Sequence, residues 1–355
     1  MPGWAAYVIP AIVGVVVLLV FIFGLVIVFI YIERRLLARF QIRLGPNRCG
    51  PEGIFQPIAT AIKVLIKEDI VPTAADKVLH WLAPVVVFIP IILIFAVVPL
   101  HKGAIYSDLN VGIVYIVAIS SISAVGVYMA GWGSNNKYAL LAAMRTIAQM
   151  VSYELPIVLS ILGVILFAGS LSMNQIVEAQ NIPYILLQPL GFLIFFLAAL
   201  AEINRSPFDL LEADSEIVAG YHTEYSGMKF AMFYLGEFGH ALVYSAIIST
   251  LFLGGWKGPL LPPFLWLIIK IIIIFCIMVW IRATLPRLRV DQLMSFAWKG
   301  LLPMAIINLF VVAAQVLWLP EGLPWLAVVI NFVLAGIIIL LWSRLFTLGG
   351  GRVQV

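Results

Sequence analysis

Apolar runs of about twenty residues recur along this chain, and they constrain its fold more than any other feature. They lie at residues 7–32, 81–100, 111–131, 150–170, 184–203, 231–254, 264–284, 301–319 and 325–345. Each is long enough to cross a hydrocarbon layer ~30 Å thick as a helix of roughly 20 residues. The mean hydropathy of +1.12 and a charged fraction of 11% exclude an ordinary soluble domain, in which about 25% of residues are charged. The chain therefore reads as an all-α polytopic membrane protein, one integral domain over 1–355 with about nine transmembrane helices. The last two are separated only by the turn LPEGLPW. No Lys or Arg precedes Arg34, so the first run lacks the basic leader of a cleaved signal peptide and reads as a retained span.

Basic residues orient the spans. The segments after the first, third, fifth and seventh runs, with the C-terminal tail, hold 18 of the 21 Lys and Arg. By the positive-inside rule these segments face the cytoplasm or its equivalent, with the N-terminus outside and the C-terminus cytoplasmic. The basic inner loop at 33–79 contains an amphipathic stretch from Ile54 to Lys67. Ile54, Ile58, Ile62, Leu65 and Ile66 share one face, and Gln56, Thr60, Lys63 and Lys67 mark the other. Too short to span, it suits a helix lying in the interface, as an anchor or as the wall of a lipid-side doorway.

Between Ala201 and His240 the chain collects seven of its seventeen acidic residues: Glu202, Asp209, Glu212, Asp214, Glu216, Glu224 and Glu237. Membrane proteins do not gather carboxylates beside apolar segments without a reason. Ser206-Pro207-Phe208-Asp209 predicts a helix start, with Ser at the N-cap and Asp209 as a capping acid. Glu212 and Glu216 then share one face of that helix, where like charges four apart are mildly destabilising. Neighbouring carboxylates beside a low-dielectric layer raise each other's proton affinity, which suits proton uptake coupled to another event. A solvated acidic loop docking a basic partner is the plainer alternative. Glu154, read a few residues into the fourth span, and Glu202 and Glu237 lie at similar depth in three spans, and a relay follows only if those spans are neighbours.

The other polar residues say less. Ser120, Ser121 and Ser123 read as helix-packing residues, and Lys270 as a side chain reaching toward the outer face. Cys49 and Cys276 form no CxxC pair, which excludes a self-contained iron–sulfur site or a disulfide framework. The four histidines are not spaced to hold a haem, and no phosphate loop, nucleophile motif or metal-ligand spacing occurs.

Three inner-side motifs, ERRLLARFQIRLGPNRCGP, INRSPFDLLEADSEIVAGYHTEYSGMKF and WIRATLPRLRVDQLMSFAWK, closely resemble signatures of the H-subunit family of respiratory complex I, the proton-pumping NADH:quinone oxidoreductase. They occur in the family's order along nearly the whole chain. The resemblance implies a subunit that joins the membrane arm to the peripheral arm and lines the chamber through which quinone, the substrate, reaches its site. It implies that spans two to six adopt an antiporter-like half-channel. It also implies that this chain binds no cofactor, while partner subunits carry NADH, FMN and the iron–sulfur clusters.

Carried over motif by motif, Glu33, Arg34, Phe208 and Arg282 would line or edge the quinone chamber, with the amphipathic helix as one wall of its mouth. Glu154, Glu202, Glu212, Glu216 and Glu237 would supply the proton-coupling carboxylates. Some relatives carry an acid in the middle of the third span, where this chain has Ser120 and Ser121. The expected partners are other complex I subunits of both arms, quinone and the bilayer, not nucleic acid, and the expected location is a bacterial plasma membrane. Two other classes share the intramembrane acids: the membrane subunit of an energy-converting hydrogenase and a cation/proton antiporter.

Overall fold

The computed structural model describes residues 5–103, 105–210, 219–318 and 324–345. All nine apolar runs form helices. Among the described residues, eight helices are long and apolar enough to cross a membrane. They are α1 (Ala5–Phe40), α3 (Lys77–Phe95), α4 (Gly112–Gly133), α5 (Lys137–Ala168), α9 (Gly227–Phe252), α10 (Pro263–Thr284), α11 (Val290–Trp318) and α12 (Pro324–Leu345). Between them lie α2 (Gln56–Ile66), which is the amphipathic segment, and the short helices α6 (Met173–Ala179), α7 (Tyr184–Leu187) and α8 (Pro189–Glu202).

The fifth run departs from a plain span. It is broken into α7 and α8 at Gln188, whose φ of −138° and ψ of 62° are not helical. Pro189 follows, and a proline both lacks an N–H and pushes the preceding residue out of the α region. The fourteen residues of α8 rise only ~21 Å, short of the ~30 Å apolar layer. Backbone freed at such a break needs a partner in a dry environment. Asn331 of α12 supplies one, donating to the Leu187 carbonyl at 2.5 Å while its amide pairs reciprocally with that of Gln315 on α11.

Two further boundaries differ from the sequence reading. The fourth span starts at Lys137, capped by Asn136, whose side chain accepts from Tyr138 N. Residues 137–149, expected as an inner loop, are helical because Ala139, Ala142, Ala143, Thr146, Gln149, Met150 and Tyr153 form one buried stripe. Glu154 is thus near the middle of a 32-residue helix. The helix predicted to start at Ser206 does not start there: residues 204–210 are turns and irregular backbone. Glu212 and Glu216 lie outside the described residues.

Packing centres on α9, in which every residue from Ala241 to Phe252 is buried. It lies among α1, α3 and α10, and Phe29 of α1 stacks on Phe275 of α10 beside it, ring centroids 3.8 Å apart. Helices α3 and α4 approach closely because Gly126 has no side chain: a Cβ there would stand 2.6 Å from Val87 Cγ2 and 2.9 Å from Val87 N. Small residues at such contacts replace the hydrophobic drive that lipid cannot supply. Other large apolar side chains of α1 and α12, among them Val17, Val20, Phe332 and Leu340, are exposed.

Candidate functional site

Four charged side chains from four elements meet where α1, α8 and α10 end and α9 begins. Arg205 is brought there by the way α8 stops. Asn204 takes the left-handed conformation at φ 56°, the Arg205 N–H reaches Leu200 O at 3.3 Å, and the Asn204 N–H reaches Ala201 O at 3.1 Å. This is a complete Schellman ending, with asparagine at the left-handed position. It turns the chain inward and buries the Arg205 side chain completely.

Around the guanidinium, Glu33 Oε2 of α1 stands 2.8 Å from Nη1, and Glu237 Oε1 of α9 accepts from Nε at 3.2 Å. Arg282, in the last turn of α10, donates to Glu33 Oε1 at 2.5 Å and lies 3.9 Å from Glu237 Oε1. The Arg205–Glu33 contact is an ion pair by distance without hydrogen-bond alignment, so its attraction is chiefly coulombic. Phe238 and Phe275 lie 4.7 and 5.4 Å from the Arg205 guanidinium carbon. Aromatic faces at this range favour a desolvated cation. Two arginines and two glutamates make the tetrad neutral, which is how buried charge is tolerated.

Glu237 also borders a cavity of about 60 Å³ shared with Glu202, Asp209, Tyr234, His222 and His240. At ~10–15 Å³ per water this holds a few waters. It is far below the ~300–1,000 Å³ of small-molecule pockets. Glu202 closes α8, so its carboxylate sits at the negative end of a helix as well as being buried, a costly position on both counts. His222 lies in the loop, and burial pushes it down to about 4, so it is neutral at pH 7 and adds no charge.

Beyond Glu202 the polar chain continues into the bilayer. Tyr244 of α9 hydrogen-bonds Ser120 and lies within electrostatic range of both Glu202 and Glu154. The Ser121 hydroxyl donates to Glu154 Oε1. The serines of α4, expected only to pack, thus provide hydroxyls beside Glu154, in the span where some relatives carry an acid.

The structure therefore brings Glu33, Arg282 and Glu237 into one cluster and puts Glu237 and Glu202 on one water-sized cavity. The other two expected residues make contacts of their own. Arg34 bonds Thr60 at 3.4 Å, which ties α1 to α2, and also lies against Tyr234 of the Glu237 cavity. Phe208 is wedged between Tyr153 and Phe296, its carbonyl accepting from Gln149 Nε2 at 2.8 Å. Arg205 is a member of the cluster that the sequence reading did not single out. Its signal is the Asn-Arg pair directly after an apolar run, a helix ending that turns the next residue inward. Lys270 turns back to the loop between α9 and α10, donating to the carbonyls of Leu253, Gly255 and Lys257 at 2.7, 2.8 and 2.7 Å.

A family model described as NADH dehydrogenase matches residues 13–313. The chain is 59% identical over 347 residues to the H subunit of the NADH-quinone oxidoreductase of Dehalococcoides mccartyi, covering 97% of this chain and 98% of the relative. It is 47% identical over 329 residues to the H 2 subunit of the same oxidoreductase in Syntrophobacter fumaroxidans, covering 90% and 99%. A third relative, the H subunit from Carboxydothermus hydrogenoformans, is 47% identical over 306 residues, covering 85% and 87%.

Proposed function

The chain belongs to the NADH dehydrogenase family, among the H subunits of NADH-quinone oxidoreductase, and from that premise we propose that it admits quinone and couples quinone reduction to proton translocation. In this reading Glu33, Arg34, Phe208 and Arg282 line or edge the quinone chamber, and α2 forms one wall of its mouth. Glu237, Glu202 and Glu154, with Glu212 and Glu216 of the acidic loop, are the carboxylates that exchange protons. The names of the relatives favour a quinone oxidoreductase over a hydrogenase or a stand-alone antiporter.

One observation carries the proposal: Glu237 belongs at once to the buried tetrad and to the water-sized cavity. Reduction of quinone to quinol adds two electrons and takes up two protons. Negative charge arriving near Glu33 and Arg282 competes for the two guanidiniums, and Glu237 is the partner with protonatable neighbours behind it. If Arg205 or Arg282 leans toward a reduced quinone, Glu237 loses part of its compensation and takes a proton from the cavity. Glu202, Tyr244 and Glu154 extend that path along α8, α9 and α5. The chain does no bond-making chemistry in this account: partner subunits carry the electron route, and these residues hold and pass protons.

Orientation follows the same reading. The tetrad draws on the C-terminal parts of α1 and α10, the chain just after α8 and the N-terminal half of α9, so those parts share one side. With the basic loops inside, that side is the cytoplasmic one, in a bacterial plasma membrane. The test is Glu237→Gln in the assembled oxidoreductase, with NADH–ferricyanide activity as a control for the partner subunits. The expected result is intact ferricyanide reduction with proton pumping lost or uncoupled. Unchanged pumping per quinone reduced would overturn the proposal.

A further inference from the structure

A second opening adjoins the Glu237 cavity, sharing His222 and Phe230 with it. Between α2 and the loop that leads into α9 is a groove of about 430 Å³. This is within the ~300–1,000 Å³ range of ligand sites and far larger than the cavity at Glu237. Lys63 and Lys67, one turn apart on α2, line it, with Thr60, Thr223, Ser226 and Tyr225 among the polar groups around them. No carboxylate lines it among the described residues. The nearby Asp69 is taken by Lys229, at 2.9 Å. His222, which also faces the groove, is neutral at pH 7 because burial pushes it down to about 4. Among the described residues the lining is thus cationic and rich in hydroxyls.

The same short helix presents a second, unlike surface. Ile58, Ile62, Leu65 and Ile66 are exposed on its other side, at the end of the molecule that carries the basic loops. An interfacial helix with such a face lies at the boundary between headgroups and acyl chains. A ligand matched to both surfaces needs an anionic head and an apolar tail in one molecule. Quinone has the tail without the charge, and an acidic peptide has the charge without the tail.

We propose that this groove is a binding site for an anionic phospholipid, its phosphate held by Lys63 and Lys67 and its acyl chains lying along Ile58, Ile62 and Ile66. Basic groups beside a cytoplasmic leaflet attract anionic lipid by about five-fold in affinity for each charge, hence roughly thirty-fold for two. The site would keep one lipid at the edge of α2. It does not depend on the coupling role proposed for the tetrad.

The test uses the assembled oxidoreductase, delipidated in detergent and exposed to phosphatidylcholine vesicles with or without phosphatidylglycerol. Retained phosphatidylglycerol per complex is counted by mass spectrometry. The double variant Lys63→Gln, Lys67→Gln is expected to bind it roughly thirty-fold more weakly, and Lys63→Arg with Lys67→Arg to restore most of the binding. Equal retention by the Gln variant would overturn the proposal. So would displacement of the lipid by inorganic phosphate at matched concentration, which would make it a free-anion site. Release of soluble subunits with lipid retention unchanged would also overturn it, because the lysines would then be docking a partner. Proton pumping is measured on the same samples, so failure of the lipid site is distinguishable from failure of the coupling proposal.

Discussion

Replacing Arg205 by Met, alone and together with Glu33→Gln, tests whether the four charges of the tetrad act as one electrostatic unit. The Arg205 side chain has no exposure and that of Glu33 has 5%, so solvent cannot take over either partner's role. Removing one member of a buried pair typically costs ~3–5 kcal/mol, because the other charge is left uncompensated. The ring contacts with Phe238 and Phe275 add roughly 0.5–2 kcal/mol. Glu33→Gln should cost less, ~1.5–3 kcal/mol, because the amide still accepts a hydrogen bond from Arg282. If the two residues stabilise each other, the double variant falls short of the sum by ~0.5–3 kcal/mol. The assay is the rate at which quinone reductase activity is lost on warming the assembled enzyme, with native gels reporting whether the chain is retained in the complex. A loss of ~3 kcal/mol in the barrier to inactivation accelerates it more than a hundred-fold. Additivity within ~0.5 kcal/mol would show two independent residues and refute the idea of a shared unit.

Other perturbations have defined outcomes. Glu212→Gln with Glu216→Gln should lower quinone reduction and pumping together, and two unchanged rates would remove both carboxylates from the coupling scheme. Gly126→Leu places side-chain atoms against the Val87 backbone and should cost ~1–3 kcal/mol or more, read as reduced yield of the chain in membranes. Because His222 is held near 4 in the folded chain against an ordinary 6.5, the unfolded state binds its proton first as pH falls. Stability is therefore full above about pH 6.5 and declines toward pH 4, and His222→Gln should flatten that part of the thermal-stability profile. Asn331→Ala strands the Leu187 carbonyl and should cost ~1–3 kcal/mol, measured by the same inactivation assay.

The hydropathy of the chain was enough to locate every apolar helix, and the amphipathic pattern from Ile54 to Lys67 marks α2 almost to its ends. Helix limits were harder wherever polar residues join a buried stripe. Lys137, Arg145 and Gln149 look like loop composition, yet the small and apolar residues among them repeat at helical spacing. The break at Gln188 carries a plain local signal in Pro189, but an uninterrupted apolar run hides it. Carboxylates stood out because they are rare in such a sequence. Arg205 did not, because a single basic residue at an inner helix end is commonplace. Its importance arises from Glu33, more than 170 residues earlier, and from Arg282, far later in the chain. No pattern within a short window can register a cluster assembled from such distant segments.

The broken fifth run has a consequence for synthesis. The Leu187 carbonyl and the Asn331 amide that satisfies it are 144 residues apart. At ~5–20 residues per second the ribosome needs roughly 7–29 s to cover that distance. Throughout that interval α7 and α8 are in place while the side chain that completes their junction has yet to be made. The bundle then cannot mature strictly in the order of its sequence: its fifth segment is finished by its last. A nascent chain arrested before α12 should hold this junction loosely, with water donating to the Leu187 carbonyl in place of Asn331.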